Sequence, residues 1–137
     1  TEKEVSRRIA EMAQAIKYLH DLDIAHRDIK PENIVLSNVT NSSMSGHGKV
    51  MRLRLGYTLH KPPQDLLGTF DYVAPEILEG KEYDWCVDLW CLGVLTYELL
   101  MGKVPFYNIS RKETMKKILS VHLILIVVWF GSSCLFQ

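Results

Sequence analysis

Neither sign of charge is in excess: 16 basic side chains meet 16 acidic ones over 137 residues, for a formal net charge of zero. Such a balance gives no bulk field to hold nucleic acid or an anionic membrane. Cysteine is scarce. Cys86, Cys91 and Cys134 have no metal-ligand spacing, and an odd count does not make a disulfide framework, so they read as free thiols of a reducing compartment. The opening TEKEVSRRIA is charged where a secretory signal would be apolar. The glycosylation matches at Asn38, Asn41 and Asn108 accordingly read as chance. An unbroken apolar run at 123–130 is only eight residues long, against the ~18–20 that a bilayer requires.

What the chain does have is 47% apolar composition, enough to furnish one core at about one domain's length. Thr1 and Glu4 form a capping box, and Val5, Ile9, Met12, Ile16 and Leu19 follow at helical spacing. This predicts an amphipathic helix to about His20. Ile34, Val35 and Leu36 read as a brief buried strand, residues 37–48 as a polar loop, and residues 49–53 as a second strand. Residues 57–75 read as a loop, with a short helix opening at Ala74-Pro75-Glu76. Residues 87–100 are apolar nearly all round, which predicts a helix buried on every face. Gly102 closes it, and a second capping box at Ser110 and Glu113 starts a helix to about Leu119. A lone Asp88 inside the apolar helix needs a polar partner. The fold class expected is mainly α.

Three motifs follow in order: HRDIKPEN at 26–33, GTFDYVAPE at 68–76 and DLWCLG at 88–93. In this arrangement residues 1–119 resemble the C-terminal lobe of a eukaryotic protein kinase, with a short β-hairpin region near the catalytic loop. Lys30 and Thr69 resemble the serine/threonine class. The first half is similar to MAPK-activated and calmodulin-kinase-like enzymes, the second to Aurora kinases.

The resemblance implies ATP and Mg²⁺ as cofactors and phosphoryl transfer to protein serine or threonine, in a mitotic or signalling role. It implies that Asp28 orients the proton of the substrate hydroxyl, that Lys30 neutralises the transferred phosphoryl group, and that Asn33 gives an oxygen to the metal. His26 is implied to be structural, and Asp88 to hold the backbone of the turn around it. Arg27 is implied to pair with the activation loop, where Asp65 stands at the position that Aurora-like kinases phosphorylate. Glu32 and Glu98 match positions that bind substrate arginine, and Thr69 lies on the same substrate side; an ion pair within the lobe is the other reading of Glu98. Glu76 is structural, with an arginine late in the lobe as its usual partner. The partner expected is a protein with basic residues near its serine or threonine, with no nucleic acid and no membrane, in the cytoplasm or nucleus.

Three departures accompany the match. In KVMRLRLGYT at 49–58, Gly56 aligns with the family's glycine, but Arg54 replaces the metal-binding aspartate. A cation there repels Mg²⁺, at a cost of several kcal/mol of transition-state stabilisation. No glycine-rich phosphate loop and no VAIK-type lysine occur; those parts of the N-lobe would lie before Thr1. Residues 120–137 read as an apolar non-family tail, with a core element or a membrane anchor as alternatives. Arg54 and the tail are either evolved changes or splice or gene-model errors. Three functions stay open: a kinase segment, a pseudokinase-type binding module, and an incomplete gene product without activity.

Overall fold

The computed structural model describes residues 1–38, 49–53 and 70–120. Helix α1 spans Glu2–His20 and starts at Thr1, whose Oγ1 accepts from the Glu4 amide at 3.4 Å. The other half of the expected capping box differs. The Glu4 carboxylate accepts from Arg7 at 2.9 Å and Arg8 at 3.0 Å, so two guanidinium groups one turn on hold it instead of the Thr1 nitrogen. Met12 and Ile16 are buried, while Val5, Ile9 and Leu19 flank them half-buried, so the periodic stripe faces inward.

After the HRDIKPEN segment, which ends in a 3-10 turn over Pro31–Asn33, strand β1 (Ile34–Asn38) pairs antiparallel with β2 (Lys49–Leu53). Ile34 lies opposite Leu53 and Asn38 opposite Lys49, so β2 ends across from the residue that follows Asn33. The strand is not buried throughout as expected. Ile34 packs against the core, but Val35 is 54% exposed, since alternate residues of a two-stranded ladder point to opposite faces.

A second 3-10 turn covers Phe70–Tyr72, and the short α2 (Pro75–Leu78) follows with proline at its first position. Helix α3 (Cys86–Met101) ends on Gly102 in the left-handed conformation, φ 71°, with the Gly102 amide on the Glu98 carbonyl at 2.8 Å. Helix α4 runs Arg111–Ser120. The core gathers Met12 and Ile16 of α1, Ile29 of the HRDIKPEN segment, Val94 and Leu95 of α3, and Ile118 of α4. Each such side chain contributes roughly 1.5–3 kcal/mol by leaving water.

The expectation that α3 is buried on every face fails on one side. Val87, Asp88, Cys91, Val94 and Leu95 face α1 and the loops, whereas Leu89 (46%), Leu99 (44%) and Met101 (57%) face outward. Composition without a strong period could not say which side the neighbours cover. The described residues are mainly helical, and none of their helices is long and apolar enough to cross a membrane.

Candidate active site

The HRDIKPEN loop, residues 26–33, enters on a strained turn. Arg27 has φ 66°, a left-handed conformation that costs a non-glycine residue of order 1–3 kcal/mol unless its surroundings fix it. Asp88 does the fixing. Fully buried on the first turn of α3, its Oδ2 accepts from the His26 amide at 2.7 Å and its Oδ1 from the Arg27 amide at 2.7 Å. A third partner is the His20 imidazole, whose Nε2 sits 2.8 Å from Oδ2. One carboxylate thus satisfies two buried backbone donors and anchors the end of α1.

Beyond the turn, Asp28, Lys30 and Asn33 converge. Asn33 Nδ2 donates to the Asp28 carbonyl at 2.7 Å and to Asp28 Oδ2 at 2.6 Å, while Lys30 Nζ lies 2.8 Å from Asp28 Oδ1. Both Asp28 oxygens are therefore oriented, yet the side chain remains 46% exposed and open to an incoming hydroxyl. Asn33 donates through its nitrogen, which leaves Oδ1 as an oxygen donor suited to a hard cation. His26 is fully buried, and its Nδ1 accepts from the Asp28 amide at 3.3 Å. The proton then belongs on Nε2, which has no hydrogen-bond partner among the described residues.

Around this loop lie contacts that motif reading does not supply. The Arg27 guanidinium sits over the Tyr83 ring, 5.1 Å from its centroid. The Tyr72 hydroxyl donates to Glu98 Oε2, so among the described residues Glu98 meets a phenol. Burial, then that hydrogen bond, pushes the Tyr72 hydroxyl well above the usual phenol range, with Glu32 adding to the effect. Asp71 is likewise pushed up by burial and by the Glu98 charge. Glu32, Asp71 and Glu98 thereby form an acidic neighbourhood around one tyrosine. The Cys91 thiol donates to the Tyr72 carbonyl at 3.2 Å, and burial raises it above the ordinary thiol range.

Glu76 is half-buried on α2, its carbonyl accepting from the Lys81 amide at 2.9 Å. Arg54, Gly56, Asp65 and Thr69 lie outside the described residues, and with them the expected Arg27–Asp65 pairing. Among the described residues no group of three or more His, Cys, Asp or Glu side chains is placed to hold a metal. Asp28 and Asn33 are suitable oxygen donors, but they are an incomplete set for Mg²⁺. His20, Tyr72 and Tyr83 went unnoticed in the sequence because their partners are distant along the chain; His20 and Asp88 are 68 residues apart.

The protein kinase domain family matches the chain over residues 1–132. The chain belongs to that family, and it is a serine/threonine kinase sequence of Aurora-like type. An Aurora kinase of Schizosaccharomyces pombe is 43% identical over 127 residues, covering 90% of this chain and 34% of the yeast protein. Aurora kinase B-A of Xenopus laevis is 41% identical over 116 residues, covering 82% of this chain and 30% of the frog protein. Aurora kinase C of Mus musculus is 40% identical over 116 residues, with coverages of 82% and 39%. The chain thus spans about a third of the length of the curated relatives it matches. Protein kinases in general use ATP and Mg²⁺ to phosphorylate protein substrates.

Proposed function

We propose that this chain is the catalytic-loop portion of an Aurora-like serine/threonine kinase whose metal chemistry is impaired. The observation that carries the proposal is the convergence of Asp28, Lys30 and Asn33 beside the end of β2, after which the sequence supplies Arg54. Asp28 would take or orient the proton of a protein hydroxyl, and Lys30 would offset charge on the moving phosphoryl group. Asn33 would help to hold Mg²⁺ through Oδ1, and the ion would supply positive charge to offset that of the nucleotide phosphates. A guanidinium at position 54 in place of a carboxylate removes one ligand and adds repulsion, so binding of Mg-ATP by this chain is expected to be weak.

Residues 1–119 would constitute the C-lobe portion and residues 120–137 an apolar tail, into which the family match runs as far as residue 132. The acidic neighbourhood of Glu32, Asp71 and Glu98 suits a substrate with basic residues near its serine or threonine, through charge-assisted pairs. The Aurora-like sequence supports a mitotic or signalling role in the cytoplasm or nucleus. Arg54 also favours a second reading, a pseudokinase-type module that keeps the lobe's surface for binding without transferring phosphate.

The test is radiolabelled phosphate transfer from Mg-ATP to a basic serine peptide by the 137-residue chain. No transfer above background is expected. Turnover that Asp28→Asn abolishes would show that the chain is an active kinase and overturn the proposed impairment.

A further inference from the structure

We propose that His20 is a positioning residue through which proton binding at the surface of the lobe reaches the backbone of the catalytic loop, with Asp88 as the link. His20 is the last residue of α1, and its side chain is 11% exposed. Asp88 Oδ2 is shared: it takes His20 Nε2 at 2.8 Å and the His26 amide at 2.7 Å. Because a carboxylate only accepts, Nε2 must carry a proton in both charge states of the ring. The second proton therefore comes and goes at Nδ1. The His20–Asp88 hydrogen bond persists through the titration, but it changes from neutral-donor to charge-assisted.

The change cannot be confined to that bond, since both carboxylate oxygens already hold loop amides. Drawing Oδ2 toward an imidazolium alters its bond to the His26 amide and, through the rigid carboxylate, the Oδ1 bond to Arg27. Arg27 is the residue whose left-handed φ depends on that anchor, and Asp28 follows it directly.

His20 is also placed to exchange protons with solvent. Together with Trp85, Lys17 and Asp21 it lines a cleft of about 360 Å³ between α1 and the start of α3. Its ring lies 5.1 Å from that of Trp85, which is 43% exposed. The charged and titratable groups around it come from every neighbouring element. Asp88 and Cys86 belong to the first turn of α3, Asp84 lies just before it, and the Lys17–Asp21 pair, 2.7 Å apart, belongs to α1 and its cap. His26 and Arg27 belong to the turn.

This inference rests on the kinase reading for what the loop does, but its readouts are spectroscopic, so a failed phosphotransfer assay leaves it standing and the reverse also holds. The experiment is NMR on the full 137-residue chain, following the His20 ring carbons and the His26 and Arg27 amides from about pH 5.5 to 8.5. The two amides are expected to shift with the midpoint of the His20 ring. In His20→Gln, which keeps a donor but does not titrate, that midpoint should vanish, which separates it from titration of His26 itself. Exchange of the His26 and Arg27 amides should stay slow in His20→Gln. In His20→Leu it should rise about tenfold or more relative to the core amides of Val94 and Leu95. Amide shifts that stay flat through the His20 titration would overturn the proposal. So would His20→Leu accelerating all four amides equally, as general destabilisation does. If His20→Leu does not fold, the wild-type and His20→Gln titrations decide.

Discussion

Replacing Asp88 by leucine removes the acceptor of two buried backbone amides and of the His20 imidazole at once. A buried donor left without its partner costs about 1–3 kcal/mol, so the two amides of His26 and Arg27 together lose about 2–6 kcal/mol. Part of this returns when Arg27, no longer held at φ 66°, relaxes and releases about 1–2 kcal/mol of backbone strain. The expected net loss is about 1–4 kcal/mol by urea unfolding of the whole chain, a large share of a typical domain's stability. Asp88→Asn separates the charge from the shape. Its oxygen still serves the Arg27 amide, but its NH₂ then faces the His26 N–H, donor against donor, so roughly half the loss should remain. Hydrogen exchange should locate the damage at His26 and Arg27 before the Val94 and Leu95 core. A loss below about 1 kcal/mol for Asp88→Leu would refute the idea that this carboxylate holds the turn.

Met12, 1% exposed in the core, should cost about 2–5 kcal/mol when replaced by alanine, measured by urea or thermal unfolding. Tyr72 has its folded pKa raised by burial and by Glu98, so its contribution is complete below the ordinary phenol value near ~10 and is lost as pH rises toward the folded value. Wild-type stability should therefore fall above about pH 10 more steeply than that of Tyr72→Phe, and equal slopes would contradict the Glu98 contact. Exposed Cys86 is held above the usual thiol range mainly by its hydrogen bond to Asp84. In a Cys134→Ser background, Asp84→Asn should speed its reaction with a thiol reagent roughly two- to fivefold at neutral pH. Buried Cys91 should stay unreactive until the chain unfolds.

Local features carried most of the secondary structure. The stripe from Val5 to Leu19 marked α1 to its last residue, and α4 extends one residue past Leu119. The strand at 49–53 was bounded by the polar segment before it. The HRDIKPEN octet was legible because it is contiguous, and the structure places Lys30 and Asn33 each within hydrogen-bonding reach of Asp28. Contacts between distant residues were not legible. The resemblance named the backbone of the turn as Asp88's partner, but no period or motif named the His20 imidazole. Nor did one pair Tyr72 with Glu98, or set Tyr83 beneath Arg27. The sidedness of α3 failed for a related reason: its sequence is apolar on all faces, so only the packing of α1 and α4 decides that Leu89, Leu99 and Met101 face out. The reversed conformation of Arg27 has no signal in its residue type, because arginine carries no preference for positive φ.

The central claim is that an assembled catalytic loop is disabled by the residue that follows β2. Its most direct test grafts residues 26–56 of this chain into an active Aurora kinase and compares Arg54 with Arg54→Asp, reading Mg-ATP-dependent peptide phosphorylation. With Arg54, kcat/KM should fall by roughly a thousandfold or more, the rate equivalent of ~4 kcal/mol of lost stabilisation, and Arg54→Asp should recover most of it. Equal activity of the two grafts, whether both high or both absent, would contradict the claim that position 54 is what separates this chain from an active kinase.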